Sequence, residues 1–436
     1  KANVISGTAN SITVAVPAGA THHPISVTSY TLTAFSSRPF TVTFPGIGNI
    51  FTPGSFSTLP NLPAGTAPNE IAVGDLDGDG KSDVANANHF DGTISVYRNI
   101  STAGAIAFAP KTDLPITQGF ELGGVEISDV NGDGLPEIIS ASNRGVALIL
   151  KNTSTPGNIS FAPAQSFSIR EGASAIAAGD VDSDGKIDVV FASGYYLSVI
   201  RNTGTNHNLS FEAPLSIEAG YACSDVAIYD LDADNKPDIA ITSSLNSANN
   251  TGKVSVFRNL CTPGAPLSPA SFAAKIDLPT GNTPTGVIMS DLNNDDRPDL
   301  VVTSYPALVT VYENVSSTGT ISFEPRKDYT VGSIPYNLSI ADFDGDGKPD
   351  IATSNFGSQN ISILKNNSTL ADIAFAAGVD YPGSGGQLVS IRGADMDNDG
   401  KPDIVASDYS RDFVAVLRNT VAEAQLVPAG ANPVTG

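Results

Sequence analysis

Acidic side chains recur along this chain at a spacing that suits metal coordination. Seven nine-residue segments follow the pattern D-x-[DN]-x-D-G-x-x-[DE], with the glycine replaced in two of them. Successive segments lie 54, 51, 50, 61, 51 and 53 residues apart, which indicates a structural repeat. The segments begin at Asp75, Asp129, Asp180, Asp230, Asp291, Asp342 and Asp395.

Each segment alternates oxygen donors as a calcium loop does. Ca²⁺ takes about six to eight oxygen ligands, and a tight loop can supply them from alternate residues. Positions 1, 3 and 5 offer side-chain oxygens, position 7 a backbone carbonyl and position 9 a carboxylate. The predicted ligands are, loop by loop, Asp75, Asp77, Asp79, Lys81 and Asp83; Asp129, Asn131, Asp133, Leu135 and Glu137; Asp180, Asp182, Asp184, Lys186 and Asp188; Asp230, Asp232, Asp234, Lys236 and Asp238; Asp291, Asn293, Asp295, Arg297 and Asp299; Asp342, Asp344, Asp346, Lys348 and Asp350; Asp395, Asp397, Asp399, Lys401 and Asp403.

The loops differ at two positions that matter for a bound ion. Position 6 has to turn sharply, usually with a positive φ, and glycine adopts that conformation at the least cost. Asn235 tolerates it in the fourth loop, and Asp296 in the fifth loop does so less well. Position 3 is neutral in the second and fifth loops, where it is Asn131 and Asn293. We therefore predict that the fifth loop is the weakest site.

The charge of the whole chain favours bound cations. The formal net charge is −22, and the ligand positions of the seven loops hold 26 carboxylates. Seven Ca²⁺ ions would bring the charge to about −8 and relieve the repulsion inside each loop. An Asp-Gly turn without an ion is the alternative, but a turn does not need four acids at fixed offsets. Mg²⁺ is disfavoured because it requires a stricter, mostly hydrated octahedron.

The residues around each loop predict the elements that hold it. Short runs rich in Val, Ile and Ala precede and follow each loop; a third run ends in a basic–Asn pair, with Glu313-Asn314 as the exception, and a fourth contains Phe. Such runs between Gly, Asn, Asp and Pro are typical of strands. Four strands in each repeat make a propeller blade. We predict an all-β fold, a seven-bladed β-propeller with four-stranded blades.

The phase of the repeat predicts how the ring closes. The phenylalanine of the fourth run occurs seven times, but the first copy precedes the first acidic loop and none follows the last loop. The strand around Phe56 should therefore complete the blade that contains Asp395, which would remove exposed sheet edges. An open solenoid is the alternative. The phenylalanines are Phe56, Phe108, Phe161, Phe211, Phe272, Phe323 and Phe375.

On these motifs the chain resembles the FG-GAP/VCBS repeat family, which includes the integrin α-chain propeller and many secreted bacterial proteins. The resemblance covers residues from about 50 to about 420. It implies that the acidic loops join the first and second strands of each blade on one face of the ring. The loops on the opposite face are then rich in aromatic residues. We predict that a ligand binds there through Phe90, Tyr195, Tyr196, Tyr221, Tyr305, Tyr336, Phe356, Tyr381 and Tyr409.

The alternative for these aromatic residues is that they plug the central channel or cap the blades. The chain has no Trp, which weakens the case for a sugar-stacking site.

Outside the ring, residues 1–46 resemble the end of an IPT/TIG immunoglobulin-like domain. Either the domain was cut or a partner strand completes its sheet. We assign residues 47–420 to the propeller and residues 421–436 to a linker or tail.

Composition narrows the class of protein further. The acidic excess argues against nucleic acid and against anionic membrane surfaces as partners. No apolar run is long enough for a membrane span, and the chain begins at Lys1 without a signal-like segment, which we interpret as processing or truncation. The two cysteines, Cys223 and Cys261, could form one disulfide or remain buried thiols.

The sequence favours binding over catalysis. It has four histidines and no nucleophile or metalloprotease motif. We predict a non-catalytic, calcium-binding adhesion or recognition module, extracellular or on a cell surface, whose partner is a glycan or a protein. One alternative is a structural subunit of an extracellular assembly that associates through residues 1–46. Another is a carbohydrate-active enzyme or its accessory domain, using carboxylates on the aromatic face.

Overall fold

The computed structural model describes residues 3–7, 12–15, 23–29, 32–40, 43–44, 50–116, 121–205, 207–244 and 251–422. The secondary structure of these residues is β-strand, apart from one 3₁₀ turn at Pro269–Ser271. No helix in this part of the chain is long and apolar enough to cross a bilayer. The all-β prediction is therefore confirmed.

The first four strands form two separate hairpins. Strands β1 and β2 pair antiparallel, as do β3 and β4, and among the described residues of this segment no strand pairing joins the two hairpins. The resemblance of residues 1–46 to an IPT/TIG domain remains a prediction. Their bounds are β1 Asn3–Gly7, β2 Ile12–Ala15, β3 His23–Ser29 and β4 Leu32–Phe40.

The strands from Phe56 to Asn419 form antiparallel four-stranded units, as predicted for propeller blades. The strands of blades one to six follow chain order, so neighbouring strands join by short connections. Two short strands precede the first unit: β5 Phe56–Thr58 and β6 Leu62–Pro63. Blades one to three are β7 Pro68–Gly74, β8 Asp83–Asn88, β9 Thr93–Tyr97 and β10 Thr112–Pro115; β11 Leu122–Ser128, β12 Glu137–Ser142, β13 Val146–Leu150 and β14 Gln165–Ser168; β15 Ala173–Gly179, β16 Asp188–Ser193, β17 Tyr196–Ile200 and β18 Leu215–Glu218.

Blades four and five share one long strand, which the sequence did not predict. Strand β22, Ile276–Ser290, pairs with the third strand of blade four and then with the second strand of blade five. Asn282 takes part in both pairings, opposite Thr251 and Tyr305. The other strands of these blades are β19 Tyr221–Tyr229, β20 Asp238–Ser244, β21 Thr251–Phe257, β23 Asp299–Tyr305, β24 Leu308–Tyr312 and β25 Lys327–Thr330.

Blade seven is completed by residues from the start of the ring. Strand β5 pairs antiparallel with β32, so that Phe56 lies opposite Asn419. In the other six blades, the equivalent Phe bridges the equivalent Asn, as Phe108 does with Asn99. The predicted closure is therefore confirmed. Blades six and seven comprise β26 Pro335–Ala341, β27 Asp350–Asn355, β28 Asn360–Leu364 and β29 Val379–Pro382; β30 Leu388–Ala394, β31 Asp403–Asp408 and β32 Phe413–Asn419.

Contacts between blades continue around the ring. Each first strand contacts the first strand of the next blade, and β30 of blade seven contacts β7 of blade one. Across that last junction, Ser407 Oγ donates a hydrogen bond to the Asn69 carbonyl at 3.1 Å. Together with the paired β5 strand, these contacts close the seven blades into one ring.

The hydrophobic core lies between blades rather than at one centre. One buried cluster joins Ile71 and Tyr97 of blade one to Met396 and Val414 of blade seven. Five-residue third strands such as Thr93–Tyr97 are buried at their last four positions, because both faces of the blade are covered. A sheet covered on both faces needs apolar side chains on both sides, which explains the continuous Val, Ile and Ala runs.

The ring core also includes a residue that the sequence analysis assigned to the preceding segment. Phe44 is buried in the cluster that contains Phe56 and Tyr381, so the packing of blade seven begins before residue 47. Val421, at the predicted start of the tail, belongs to the same cluster. Residues 423–436 of that tail lie outside the described residues. Cys223 and Cys261 are both buried free thiols, so they form no disulfide with each other.

Candidate metal centres and the opposite face

The seven acidic loops occupy one edge of the ring. Each loop runs from the end of a first strand to the start of the second, as from Gly74 to Asp83 in blade one. Because the strands alternate in direction, the connections between third and fourth strands lie at the same edge. The connections between second and third strands, and between blades, lie at the opposite edge. This arrangement is the one that the family resemblance implied.

Backbone amides of the loop organise the first carboxylates of the acidic loops, as blade one illustrates. In blade one, Asp75 accepts hydrogen bonds from the amides of Gly78, Asp79 and Gly80 at 2.8 to 3.1 Å. Asp77 accepts the Asp79 amide, and Asp79 accepts the Lys81 amide. These bonds fold the loop tightly and aim the remaining carboxylate oxygens at a shared space.

Position 6 adopts the positive φ that the sequence predicted. Gly80 has a φ of 86°, and the non-glycine residues Asn235 and Asp296 adopt 63° and 75°. A left-handed backbone costs an ordinary L-residue about 1 kcal/mol, and less for Asn or Asp. The fourth and fifth loops therefore keep the same turn without glycine.

The structure brings three carboxylates together in five of the seven loops. In each of these groups, one ligand atom from every residue lies within 4.8 Å of the others. Asn131 and Asn293 occupy position 3 in the second and fifth loops, which form no such triplet within the described residues. The five groups are Asp75, Asp77 and Asp83; Asp180, Asp182 and Asp188; Asp230, Asp232 and Asp234; Asp342, Asp344 and Asp350; Asp395, Asp397 and Asp399.

Position 9 supplies a buried carboxylate that already accepts two backbone hydrogen bonds. Asp83 Oδ2 accepts the Leu76 amide at 2.9 Å, and Oδ1 accepts the Asn99 amide at 2.7 Å. Burial, with a smaller contribution from the nearby charges of Asp77 and Asp75, nevertheless raises the pKa of the Asp83 carboxyl to about 7. Burial likewise raises to about 8 the pKa values of Glu137, Asp238, Asp299 and Asp403.

These donors fit a hard cation. They are all oxygen atoms, several are buried, and Asp232 Oδ1 is buried with no hydrogen-bond partner among the described residues. Burial disfavours the charged form of a carboxylate, as the raised pKa values of the position 9 residues indicate. A cation in the loop would remove that penalty for several carboxylates at once.

The asparagine of the basic–Asn pair ties neighbouring blades together, a role that the sequence did not predict. In blade one, Asn99 Nδ2 donates to the Ser82 carbonyl of its own loop at 2.9 Å and to the Met396 carbonyl of blade seven at 2.8 Å. The recurrence of this Asn in every repeat was the available signal. The same pair of bonds is made by Asn152, Asn202, Asn259, Asn314, Asn366 and Asn419.

On the opposite edge, most of the predicted ligand residues are exposed, and several meet in small groups. The rings of Tyr195 and Tyr221 lie 5.2 Å apart, and those of Tyr336 and Phe356 lie 6.0 Å apart. A third group joins His89, Phe90 and Tyr409. The more exposed members are Phe90 at 56%, Tyr195 at 46%, Tyr305 at 46%, Tyr221 at 43% and Tyr336 at 39%.

Two of the predicted ligand residues have other surroundings. Tyr196 is partly buried, and the Arg170 guanidinium carbon lies 4.1 Å from the centre of its ring. Tyr381 was wrongly predicted to be at the ligand face. It is 1% exposed, packs edge-on against Phe56, and donates its hydroxyl to the Thr52 carbonyl at 2.8 Å. Its position in a fourth strand points it into the core between blades six and seven.

A further cluster of charges lies on the first strands of four blades. Arg392 contacts Glu70 Oε1 at 3.2 Å and Asn337 Oδ1 at 2.9 Å. Burial raises the pKa of Glu70 to about 8, of Glu126 to about 7 and of Asp225 to about 6, and Arg392 lowers all three. Sequence analysis missed this cluster because its members belong to different repeats and meet only in the closed ring.

The fold and the loops together define a β-propeller with a ring of acidic loops on one edge. The sequence matches the FG-GAP-like repeat family over residues 75–139, 129–191, 180–241, 291–353 and 342–406. These residues make up more than half of the chain and include all seven acidic loops, so the chain belongs to the FG-GAP-like repeat family. No curated protein matches the chain.

Proposed function

We propose that this chain is a non-catalytic, calcium-binding recognition module that works outside the cell. The five converging carboxylate triplets carry the calcium part of the proposal. Ca²⁺ would be held by the carboxylates of positions 1, 3, 5 and 9 and the carbonyl of position 7. It would place two positive charges among these clustered carboxylates. Extracellular calcium modules often bind at about 0.1 to 1 mM, which suits several loops of similar design.

A melting experiment tests the calcium sites. We expect the melting temperature to fall markedly when about 2 mM calcium is replaced by a chelator, because each site with a Kd about 20-fold lower than the calcium concentration contributes about 1.8 kcal/mol. The double variant Asp77→Asn and Asp83→Asn should lose part of that response. An unchanged melt of the unmodified protein in chelator would refute calcium binding.

The exposed aromatic groups support binding of a partner at the edge opposite the loops. Rigid aromatic side chains give a large contact area at low entropic cost, and they are enriched in binding hot spots. The pair formed by Tyr195 and Tyr221 joins blade three to blade four, so a ligand there would touch two blades. A glycan or an extracellular protein is the class of partner that we propose.

A glycan array, run in calcium and again in chelator, tests the ligand. We expect a calcium-dependent signal that the double variant Tyr195→Ala and Tyr221→Ala abolishes. Leu370→Ser is the matched control, since Leu370 is 69% exposed but lies in a connection at the loop edge. A signal that survives the tyrosine variant would remove this pair from the binding surface. A blank array would shift the proposal to a protein partner, for which pull-down from extracellular fluid with the same variants is the next test.

A further inference from the structure

In four blades, the basic residue at the end of the third strand reaches back to the acidic loop of its own blade. In blade four, Arg258 Nε contacts Asp232 Oδ2 at 2.5 Å, and Nη2 contacts Asp234 Oδ2 at 2.7 Å. In blade seven, Arg418 makes the same two contacts at 2.6 and 2.7 Å, with Asp397 and Asp399. The basic side chain therefore bridges positions 3 and 5 of the loop.

The same bridge occurs in two more blades. Arg201 contacts Asp182 and Asp184, and Lys365 contacts Asp344 and Asp346. The position 3 carboxylates in all four blades are fully buried, so these ion pairs are shielded from water and salt. Their side chains with no exposed area are those of Asp182, Asp232, Asp344 and Asp397.

The bridge uses the carboxylate oxygens that the loop backbone leaves free. Asp397 Oδ1 accepts the Asp399 amide, and Asp399 Oδ1 accepts the Lys401 amide. Arg418 takes the two Oδ2 atoms. Both carboxylates are thus satisfied by the protein alone, with a tethered positive charge in the place where a bound cation would act.

Blade one has a complete carboxylate triplet without this bridge. Asp77 Oδ2 accepts the amide of Gly157 from blade two at 2.9 Å, and in bridged blade four Asp232 Oδ2 likewise accepts the Gly319 amide of blade five at 3.1 Å. Arg98 occupies the basic position of the repeat, but in the described part of the chain it forms no ion pair with Asp77 or Asp79. The Gly157 amide is neutral, so among the described residues no side-chain cation bridges positions 3 and 5 of this loop.

Blade five has an acidic residue where the bridged blades have a basic one, and a neutral residue at position 3 of its loop. Glu313 replaces the basic residue, and its Oε1 lies 3.4 Å from Nδ2 of Asn293, the neutral residue at position 3. Lys327 lies 3.7 Å from Glu313 Oε2. Blade two also has a neutral residue at position 3, Asn131, but it keeps the basic residue: Lys151 Nζ lies 3.9 Å from Asp133 Oδ2 at position 5. Neither of these two loops therefore has a basic side chain that bridges carboxylates at positions 3 and 5.

We propose that Arg201, Arg258, Lys365 and Arg418 are built-in counter-ions that compete with calcium for their loops. They stabilise the metal-free loop and weaken its affinity for calcium, because two cations near the same carboxylates repel each other. The first loop, which lacks the bridge, binds calcium more tightly than the four bridged loops. This inference rests on the proposed calcium binding and adds that the ring has at least two classes of calcium site, which differ in affinity.

Calcium uptake measured by equilibrium dialysis against buffered free calcium tests the competition. The double variant Arg258→Met and Arg418→Met keeps the length of both side chains and removes their charge. We expect two calcium ions per chain to bind at about tenfold lower free calcium, with a lower melting temperature in chelator. Arg98→Met is the matched control and should change neither quantity. Arg258→Lys, which keeps the charge, should retain the weaker affinity.

The outcomes separate this inference from the proposed function. If the unmodified protein binds no calcium, the proposed function itself fails. If the unmodified protein binds calcium but the double variant has the same uptake curve as Arg98→Met, the counter-ion role is overturned and the calcium sites stand. The single variants Arg201→Met and Lys365→Met repeat the measurement in two other blades, so a folding defect in one variant does not decide the result.

Discussion

Glu70 is a buried carboxylate whose hydrogen bonding is incomplete. Within the part of the chain that the structure describes, its Oε2 atom has no hydrogen-bond partner, while Oε1 contacts Arg392. The acidic groups that face it, Glu126 and Asp225, add to the cost of its charge. Burial raises the pKa of Glu70 from 4.5 to about 8, so the folded protein holds this proton more tightly than the unfolded chain does.

This pKa shift predicts how Glu70 affects stability. Its contribution is fully present below about pH 4.5, decreases as the pH rises towards about 8, and is lowest above that pH. Glu70→Gln should therefore raise the free energy of unfolding at about pH 9 by a few kcal/mol, since one pKa unit corresponds to about 1.4 kcal/mol. Urea denaturation in saturating calcium measures the effect. Glu324→Gln at an exposed carboxylate is the control, and equal effects of the two substitutions would contradict the prediction.

Asn366 is one of the seven asparagines whose side chains connect neighbouring blades. Its Nδ2 donates to the Leu292 and Pro349 carbonyls, and its Oδ1 accepts the Ser368 amide. Asn366→Ala would leave buried backbone groups unpaired, at about 1–3 kcal/mol for each unsatisfied group. We expect a loss of several kcal/mol in chemical denaturation. Asn367→Ala at the adjacent exposed position should cost less than about 0.5 kcal/mol, and a similar loss at both positions would show that the side-chain bonds contribute little.

At the scale of elements, strand β5 decides whether blade seven is complete. Phe56 is 6% exposed and packs against Phe343 and Tyr381 with ring centres 5.9 and 5.1 Å away. Phe56→Ala should destabilise the protein by about 3–5 kcal/mol, as expected for a large core side chain. Limited proteolysis should then cut first near the β5 strand. Ser57→Ala on the exposed side of the same strand is the control, and cleavage elsewhere would argue against β5 as the weakest part of the ring.

The strand pattern of the blades could be predicted from sequence because every repeat contains the same short apolar runs bounded by turn residues. The position of Phe56 before the first loop was enough to predict its pairing with the last blade. The long strand β22 could not be predicted, because Pro279 and Pro284 suggested a break where pairing passes from one blade to the next. Tyr381 was misplaced because its neighbours Pro382 and Gly383 indicated a loop, although its side chain faces the core.

At the scale of the whole molecule, charge dominates the metal-free state. The net charge of −22 is concentrated in the loops at one edge. In chelator, raising NaCl from about 50 mM to about 0.5 M should raise the melting temperature, because salt screens repulsion between partly exposed carboxylates. In saturating calcium the same change should have a much smaller effect. Equal salt responses in the two conditions would show that the loops carry little unbalanced charge.

The acidic loops were predictable because nine consecutive residues specify each of them. The charge cluster of Glu70, Glu126, Asp225 and Arg392 was not, since its members come from four repeats and no short segment contains two of them. The bridges from basic residues to loops were only partly predictable. The basic–Asn pair was visible in the repeat, but its contact with the loop depends on how the second and third strands pair.

The adjacency of Phe56 and Asn419 has a mechanical consequence. The chain enters and leaves the ring at paired residues, and the Thr420 amide continues the pairing to the Ser55 carbonyl at 2.9 Å. Tension applied through the flanking segments would pull on these neighbours and bypass the other six blades. Since the two strands are loaded at the same end, their bonds would break one after another rather than together. Under tension the ring would thus open first between β5 and β32, at a lower force than shearing a whole blade would require.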